Sequence, residues 1–308
     1  MRPTIVITGS GGLVGQNLCD ELADSFELVA IDKDAHALDV LAGRHPGVRI
    51  LVADLSEGGD WMSSFENADA VVMLHAQISD KSHAAFDRNN VQATKRVLRT
   101  AEKAGVRYLV HFSSSVVISV GDDDYTNTKK EQERLVDGCA IPHMILRPPL
   151  MYGPFDRKHL GWIASFMSKT PVFPMPGSGT FVRQPLFVGD VCRLVRVCLL
   201  KKPVGVRNVI ARDKITYAAL VRGIRDRLGL RTLIVGVPVP FFEAAMRIYG
   251  WFSSHPPFTV DQLKALLAGD EFPVDAWWDE FGVRYTPIGE GLDRTFSRDF
   301  FNTVEADG

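Results

Sequence analysis

The sequence predicts an α/β fold: a parallel sheet wound on both faces by helices, with a smaller C-terminal lobe interleaved with it. Three observations predict it. Near-continuous apolar runs recur at residues 4–7, 27–32, 48–54 and 70–76 with helical stretches between them, the pattern of parallel strands buried on both faces. The first run opens into a glycine-rich turn, Thr8-Gly9-Ser10-Gly11-Gly12-Leu13-Val14-Gly15. The second run ends in an acid, Asp32.

The first strand is Thr4-Ile5-Val6-Ile7, and a helix starts near Leu13. Glycine lets the intervening backbone turn tightly and approach a ligand closely. The helix start points unpaired N–H groups and a positive dipole end at an anion. Gly9, Gly12, Leu13, Val14 and Gly15 therefore form a candidate pocket for a dinucleotide pyrophosphate in a Rossmann-type fold. A glycine-rich turn alone is a weak signal; Asp32 strengthens it. It lies 23 residues after Gly9, where a carboxylate meets the adenosine ribose hydroxyls. An acid there repels a 2′-phosphate, so NAD is expected rather than NADP.

Val48 to Asp54 reads as the third strand and Ala70 to Ala76 as the fourth. A long helix is predicted over 82–104, with Phe86, Asn90, Thr94, Val97 and Ala101 on one side. Tyr108 to Phe112 is the fifth strand, Tyr125 to Val136 a helix, and His143 to Arg147 the sixth strand, stopped by Pro148 and Pro149. Beyond residue 150 prolines and glycines cluster at 171–179. Helices near 189–200 and 216–228 then alternate with short strands near 206–210 and 232–237. This divides the chain into a dinucleotide-binding domain, 1–150, and a substrate-binding lobe, 151–308.

Of the 308 residues, 46% are hydrophobic and 23% charged, and the net charge is −2. That is ordinary for a soluble globular chain, and with no basic block it argues against nucleic acid as a partner. Cys19, Cys139, Cys192 and Cys198 have no CxxC spacing and sit among apolar residues, which suits free thiols in a reducing compartment. The eight histidines lack zinc-ligand spacing, so no metal is expected. The first strand begins at once, leaving no room for a signal peptide, and no apolar stretch reaches the span of a bilayer. A cytoplasmic location is expected. The aromatic, amphipathic segment Val237–Phe252 reads as a packed or dimer-contact helix, with peripheral membrane contact as the alternative.

The chemistry gathers after the fifth strand. Ser113-Ser114-Ser115 ends it, and Tyr125-Thr126-Asn127-Thr128-Lys129 follows. Tyrosine and lysine at i and i+4 share a helix face. An ammonium beside a phenol favours the phenolate, making Tyr125 a candidate general acid/base with Lys129 as its activator. A serine at a neighbouring strand end can bond the same substrate oxygen. His111, mid-strand, reads as a satisfied core histidine. Arg147 reads equally as an anchor for a carboxylate within the fold and as a substrate contact. Trp277 and Trp278 read as lobe packing, and Gly121-Asp122-Asp123-Asp124 as a solvated turn.

These residues resemble an extended short-chain dehydrogenase/reductase of the NAD-dependent nucleotide-sugar epimerase/dehydratase kind, well over 3–200 and loosely beyond. The matches are Thr8-Gly9-x-x-Gly12-x-x-Gly15, Asp54-Leu55, Leu74-His75-Ala76, Asn90 with Thr94, Val110-His111-Phe112-Ser113-Ser114, Tyr125-x-x-x-Lys129 and Leu146 to Pro154. The resemblance implies Asp54 and Leu55 beside the adenine, His75 and Ala76 lining the cofactor, Asn90 and Lys129 contacting it, and Ser114 as the catalytic serine. It also implies Ser115 (the fallback for Ser114) and Arg183 on the substrate side, Arg183 matching an arginine that contacts a nucleotide pyrophosphate. The loop from Ser114 to Tyr125 is 11 positions, about half the family's usual span, Val117-Ile118-Ser119 replaces its usual Val-Tyr-Gly, and Gln77 replaces a usual alanine.

The implied reaction is epimerisation of a nucleotide sugar, inverting C4 by transient oxidation. Ser115-Val116 lacks the acid pair of a dehydratase. The alternative is net dehydrogenation or reduction of a sugar, steroid or prenol-linked hydroxyl. A third possibility, a catalytically silent NAD(P)-binding subunit of a larger assembly, rests on the stretch Pro257 to Leu263; the presence of both Tyr125 and Lys129 weighs against it. A homodimer through helices 82–104 and 125–136 is expected.

Overall fold

The computed structural model describes residues 2–80, 82–118, 122–252 (side chains to 247), 263, 266–267, 269, 272–297 and 300–301. Ser119 and Gly121 lie outside the described residues, as do 257–262 of the stretch compared with a silent subunit.

Strands β1 (Thr4–Thr8), β2 (Glu27–Asp32), β3 (Arg49–Val52), β4 (Ala70–Met73), β5 (Leu109–Phe112) and β6 (His143–Arg147) lie in one parallel sheet. The later strand β11 (Gly205–Asn208) completes it, in the order β11-β6-β5-β4-β1-β2-β3. Strand order reverses between β1 and β4, and a ligand crevice is expected at the carboxyl ends there. Alternation builds two cores. Ile5, Ile7, Ala70 and Val72 point to one, shared with helices α1 (Leu13–Leu22) and α7 (Val188–Lys201). Val6, Val71 and Met73 point to the other, shared with Val97 and Ala101 of α4 (Ala93–Ala104). Helices α2 (Ala35–Arg44), α3 (His83–Phe86) and α5 (Asp124–Asp137) complete the first half.

Three boundaries that bear on the site differ from the sequence reading. The third strand stops at Val52, because Asp54 turns back to accept from Ser56 N at 2.9 Å. The fourth ends at Met73, leaving 74–76 beyond the sheet. The long helix is interrupted by a π-helical turn over Asp87–Gln92, which sets the side chain of Asn90 into the interior.

The remaining strands are short: β7 (Met151–Tyr152), β8 (Val172–Pro176), β9 (Val182–Arg183), β10 (Leu186–Phe187), β12 (Ile215–Thr216) and β13 (Leu233–Val237). Helices α6 (Leu160–Lys169), α8 (Tyr217–Arg227), α9 (Val239–Phe252), α10 (Trp277–Phe281) and α11 (Ile288–Thr295) accompany them. A third core gathers Tyr152, Ile163, Phe173, Met175, Leu220, Ile224 and Leu292. The chain also returns to the first half. Trp277 is fully buried in the same core as Ile5, and its indole N–H donates to Ile210 O at 3.0 Å. Among the described residues no helix is long and apolar enough to cross a membrane.

Candidate active site

The glycine turn is shaped by close approach. Gly9 has φ +75°, and a Cβ there would lie 2.6 Å from His75 N. A Cβ on Gly15 would lie 2.4 Å from Ser10 Cα, so the first turn of α1 presses directly on the loop. Gly12, the N-cap of α1, differs: a Cβ there would meet only Gly9 O, at 3.5 Å. That side is open, no side chain caps the helix and no acid stands in its first turn, which starts Leu13-Val14-Gly15. These features fit a pyrophosphate. At the end of β2, Asp32 accepts from Gly11 N at 2.9 Å and from Asp34 N at 3.0 Å, so its carboxylate is held beside the turn. The residues present therefore fit a dinucleotide.

A strap from beyond residue 150 crosses the same turn. Asn17 Nδ2 donates to Pro154 O at 2.8 Å, and Arg157 Nη2 donates to Gly11 O at 3.1 Å. Phe155 within the strap has φ +66°, a left-handed backbone, and its ring lies 4.1 Å from the guanidinium of Arg44. Sequence reasoning missed Arg157 and Asn17. Neither carries a local pattern, and both act on segments more than a hundred residues away.

The structure gives Asp54 a partner that the sequence did not suggest. Asp54 accepts from Ser56 Oγ at 2.6 Å and from Arg88 Nη2 at 2.8 Å. Burial pushes its carboxyl up, but the Ser56 bonds and then Arg88 outweigh that and hold it below the usual range. Leu55 is buried beside it. Ala76, on the loop after β4, is exposed.

His75 and Asn90 are engaged with protein. His75 lies between Thr8 Oγ1, 2.8 Å from Nδ1, and Thr94 Oγ1, 3.1 Å from Nε2. Burial, and then the Lys129 charge, bring its pKa down to about 3, so it is neutral. Asn90 is wholly buried; it accepts from Gln77 N at 2.6 Å and donates to Gln77 O at 3.1 Å and Thr128 Oγ1 at 2.9 Å. The Gln77 that replaces alanine is thereby explained in part: its backbone is clamped by Asn90, and its side chain bridges Ser79 O and Asn89. Asn90 thus joins the loop after β4 to α5.

Ser114, Tyr125 and Lys129 converge at the end of β5. Asp123 caps α5, its carboxylate accepting from Thr126 N at 2.8 Å, and this starts the helix one residue before Tyr125. The segment read as a solvated turn is therefore a cap. Tyr125 is half-buried, and its phenol shares a hydrogen bond with the Ser114 hydroxyl. Lys129, one turn on, is 1% exposed and donates from Nζ to Phe112 O at 2.6 Å. Burial pulls its pKa down to about 7, against a raising influence from Glu133.

One electrostatic expectation is corrected. The ammonium was expected to hold the phenol low, yet burial pushes Tyr125 above its ordinary value, and the Ser114 bond only partly opposes it. Desolvation of the phenolate outweighs the single hydrogen bond. Burial thus favours the neutral phenol over the phenolate.

Ser115 is buried, its N–H donating to Pro148 O at 2.9 Å, which ties the short turn after β5 to the chain after β6. Arg183 stands on β9 opposite Ile215 of β12, in the second half of the chain. Its charge reaches His159 and Tyr217, the latter stacked on Phe181 at 5.0 Å. Arg147 is an internal anchor, donating to Glu133 from Nε at 2.8 Å and Nη2 at 2.5 Å. His111 is buried, but neither ring nitrogen has a partner among the described residues, so it is not the satisfied core histidine expected.

A doubly wound sheet, a glycine turn open to a pyrophosphate, and a Ser–Tyr–Lys set at the same carboxyl edge define an NAD-dependent enzyme of the extended short-chain dehydrogenase/reductase type. Residues 5–211 match the model of the NAD dependent epimerase/dehydratase family, and the chain belongs to that family. Over 310 residues it is 24% identical to the ceramide reductase of Caulobacter vibrioides, covering 96% of this chain and 90% of that one. It is 21% identical to the N-acetyl-alpha-D-glucosaminyl-diphospho-ditrans,octacis-undecaprenol 4-epimerase of Escherichia coli O157:H7, covering 100% and 98%. Among solved structures, its fold is similar to the UDP-N-acetylglucosamine 4-epimerase of Methanobrevibacter ruminantium M1, with a TM-score of 0.77, 16% identity, and 98% and 99% of the two chains covered.

Proposed function

We propose that this chain is a nucleotide-sugar epimerase that inverts C4 through a transient ketone, with Tyr125 moving the hydroxyl proton. The observation that carries the reading is the hydrogen-bonded Ser114–Tyr125 pair one helical turn from buried Lys129. NAD, when held by Gly9, Gly12, Leu13, Val14, Gly15 and Asp32, supplies the two-electron redox capacity, and the protein supplies position and proton transfer. Ser114 bonds the reacting oxygen and orients it toward Tyr125. Tyr125, in its phenolate form, accepts the proton as the carbinol carbon is oxidised, and the phenol so formed returns it when the opposite face is reduced. Lys129, in the ammonium form, stabilises the phenolate that exists before the proton is taken and again after it is returned. Asp54, Leu55, His75, Ala76 and Asn90 line or brace the cofactor side, and Arg183 and Ser115 the substrate side. The proposed division remains 1–150 for the cofactor and 151–308 for the substrate, in a cytoplasmic homodimer.

The test is incubation of the purified chain, loaded with NAD, with UDP-sugars while C4 configuration is followed by nuclear magnetic resonance. Inversion of one of them is expected; no inversion on any would overturn the reading.

A second reading, reduction of a carbonyl on a lipid or lipid-linked sugar, is favoured by one observation. Burial keeps the resting Tyr125 protonated, the state that donates to a ketone oxygen. The names of two relatives that align over nearly the whole chain, a ceramide reductase and an undecaprenol-linked epimerase, agree with it. It predicts net oxidation of reduced cofactor, seen as loss of the reduced-nicotinamide absorbance, when a keto-lipid is added.

A further inference from the structure

The outer face of the second half of the chain breaks the usual rule for a solvent-facing strand. β8 and β13 pair in parallel, with Val172 opposite Leu233 and Pro174 opposite Val235. One set of alternate side chains, Phe173, Met175 and Ile234, enters the third core. The other set, Val172, Pro174, Leu233 and Val235, faces out, and Leu233 is 61% exposed. A ribbon face left to water ordinarily carries polar residues in those places. Helix α9 begins two residues after β13 and adds Phe241, 71% exposed, with Pro240, Ala244 and Ala245 also exposed. Its sequence continues Ile248-Tyr249-Gly250-Trp251-Phe252.

The charges beside this face have one sign. Lys169, the last residue of α6, lies three residues before β8 and Arg231 two before β13, and parallel pairing puts both toward the same end. Both are exposed, and neither has an ion-pair partner among the described residues. The acid of α9, Glu243, is taken by Arg247 one turn on at 2.6 Å. The face therefore offers apolar surface with two available cations at one edge.

We propose that this face docks on an anionic membrane surface. Val172, Leu233, Val235 and Phe241 enter the boundary between headgroups and acyl chains, and Lys169 and Arg231 meet the lipid phosphates. A second copy of the chain fits less well. A two-fold pairing sets the patch against itself, and among its described residues there is no unpaired acid to receive the cations. A lipid surface supplies both the apolar phase and the anions. The inference is independent of which hydroxyl the active site takes.

Flotation of the purified full chain with vesicles tests it. Phosphatidylcholine vesicles are compared with mixed phosphatidylcholine/phosphatidylglycerol vesicles. The chain is expected to float several-fold better with the mixed vesicles. The double change Lys169→Glu and Arg231→Glu, both at the surface, is expected to abolish that preference. Leu233→Ser with Phe241→Ser is expected to lose flotation with both kinds of vesicle while the thermal midpoint stays near the parent's. Absence of flotation with mixed vesicles overturns the proposal. So does light scattering that shows a dimer which Leu233→Ser with Phe241→Ser converts to monomer, because the occupant is then a second copy.

Discussion

Two regions put residues where the hydrophobic rule would not, in opposite senses. At the carboxyl edge of the sheet, Lys129, His75 and His111 are drawn into the interior, and burial moves the pKa of each downward. On the β8–β13 ribbon, Val172, Leu233, Val235 and Phe241 are pushed into solvent. The buried polar groups cost stability that apolar residues would restore, whereas the exposed apolar ones cost little. The difference teaches what each region is for. Under the two proposals, the buried polar groups serve a small ligand and the exposed apolar face serves a lipid phase. A third surface sharpens the contrast. The outward face of α4 and α5 shows Arg99, Glu102, Lys103, Asn127, Lys130 and Arg134, an ordinary solvated pattern, so a dimer through these helices has to join charged surfaces.

The largest expected effect lies at the buried end of the comparison. Tyr125→Phe should lower turnover by about 10²–10⁴-fold, the scale for removing a general acid/base, with NAD affinity by calorimetry unchanged. An unaltered rate would remove the phenol from the reaction.

Lys129→Met should cost about 10²-fold in turnover, toward the lower end of the same scale. It also has a signature in the ligand-free protein. The folded pKa is near 7, below the ordinary 10.5, so between these values the unfolded chain binds a proton that the folded chain does not. Wild-type stability should therefore rise as pH increases from about 7 toward 10.5, and the variant should lose that slope in urea titrations. Histidine behaves alike at lower pH. His75 stays neutral to about 3, so stability should fall as pH drops below 6.5, and His111→Leu should reduce that fall because His111 too is held neutral.

Gly15→Ala drives a Cβ into the backbone at Ser10 and should cost about 1–3 kcal/mol, read as a lower urea midpoint. At the exposed end, Leu233→Ser should change stability by no more than about 0.5 kcal/mol, because the side chain leaves little packing behind. A much larger loss would mean that the ribbon is ordinary core, and the contrast between the two regions would dissolve.

Much of the first half was legible because its signals are local. Strand alternation, the glycine spacing, Asp32 and the i, i+4 pair Tyr125 and Lys129 all sit within a few residues of the feature they specify. The boundaries that moved were set by remote partners. The third strand stops early at a turn held by Ser56 and Arg88, and the long helix widens where Asn90 meets Gln77 and Thr128. The aromatic run at 237–252 was visible as amphipathic, but only the pairing of β13 with β8 shows that the apolar surface extends over a ribbon.

The sequence by itself determined the sheet, the glycine turn and the shared helix face of Tyr125 and Lys129, because periodicity, glycine spacing and helical pitch are properties of adjacent residues. Tertiary structure alone decided the state of Tyr125, the crossing of Arg157 over Gly11, and the joining of Val172 to Leu233 in one outward face. Desolvation and cross-lobe contact depend on what segments far apart in the chain bring together, and no short window of sequence contains that information.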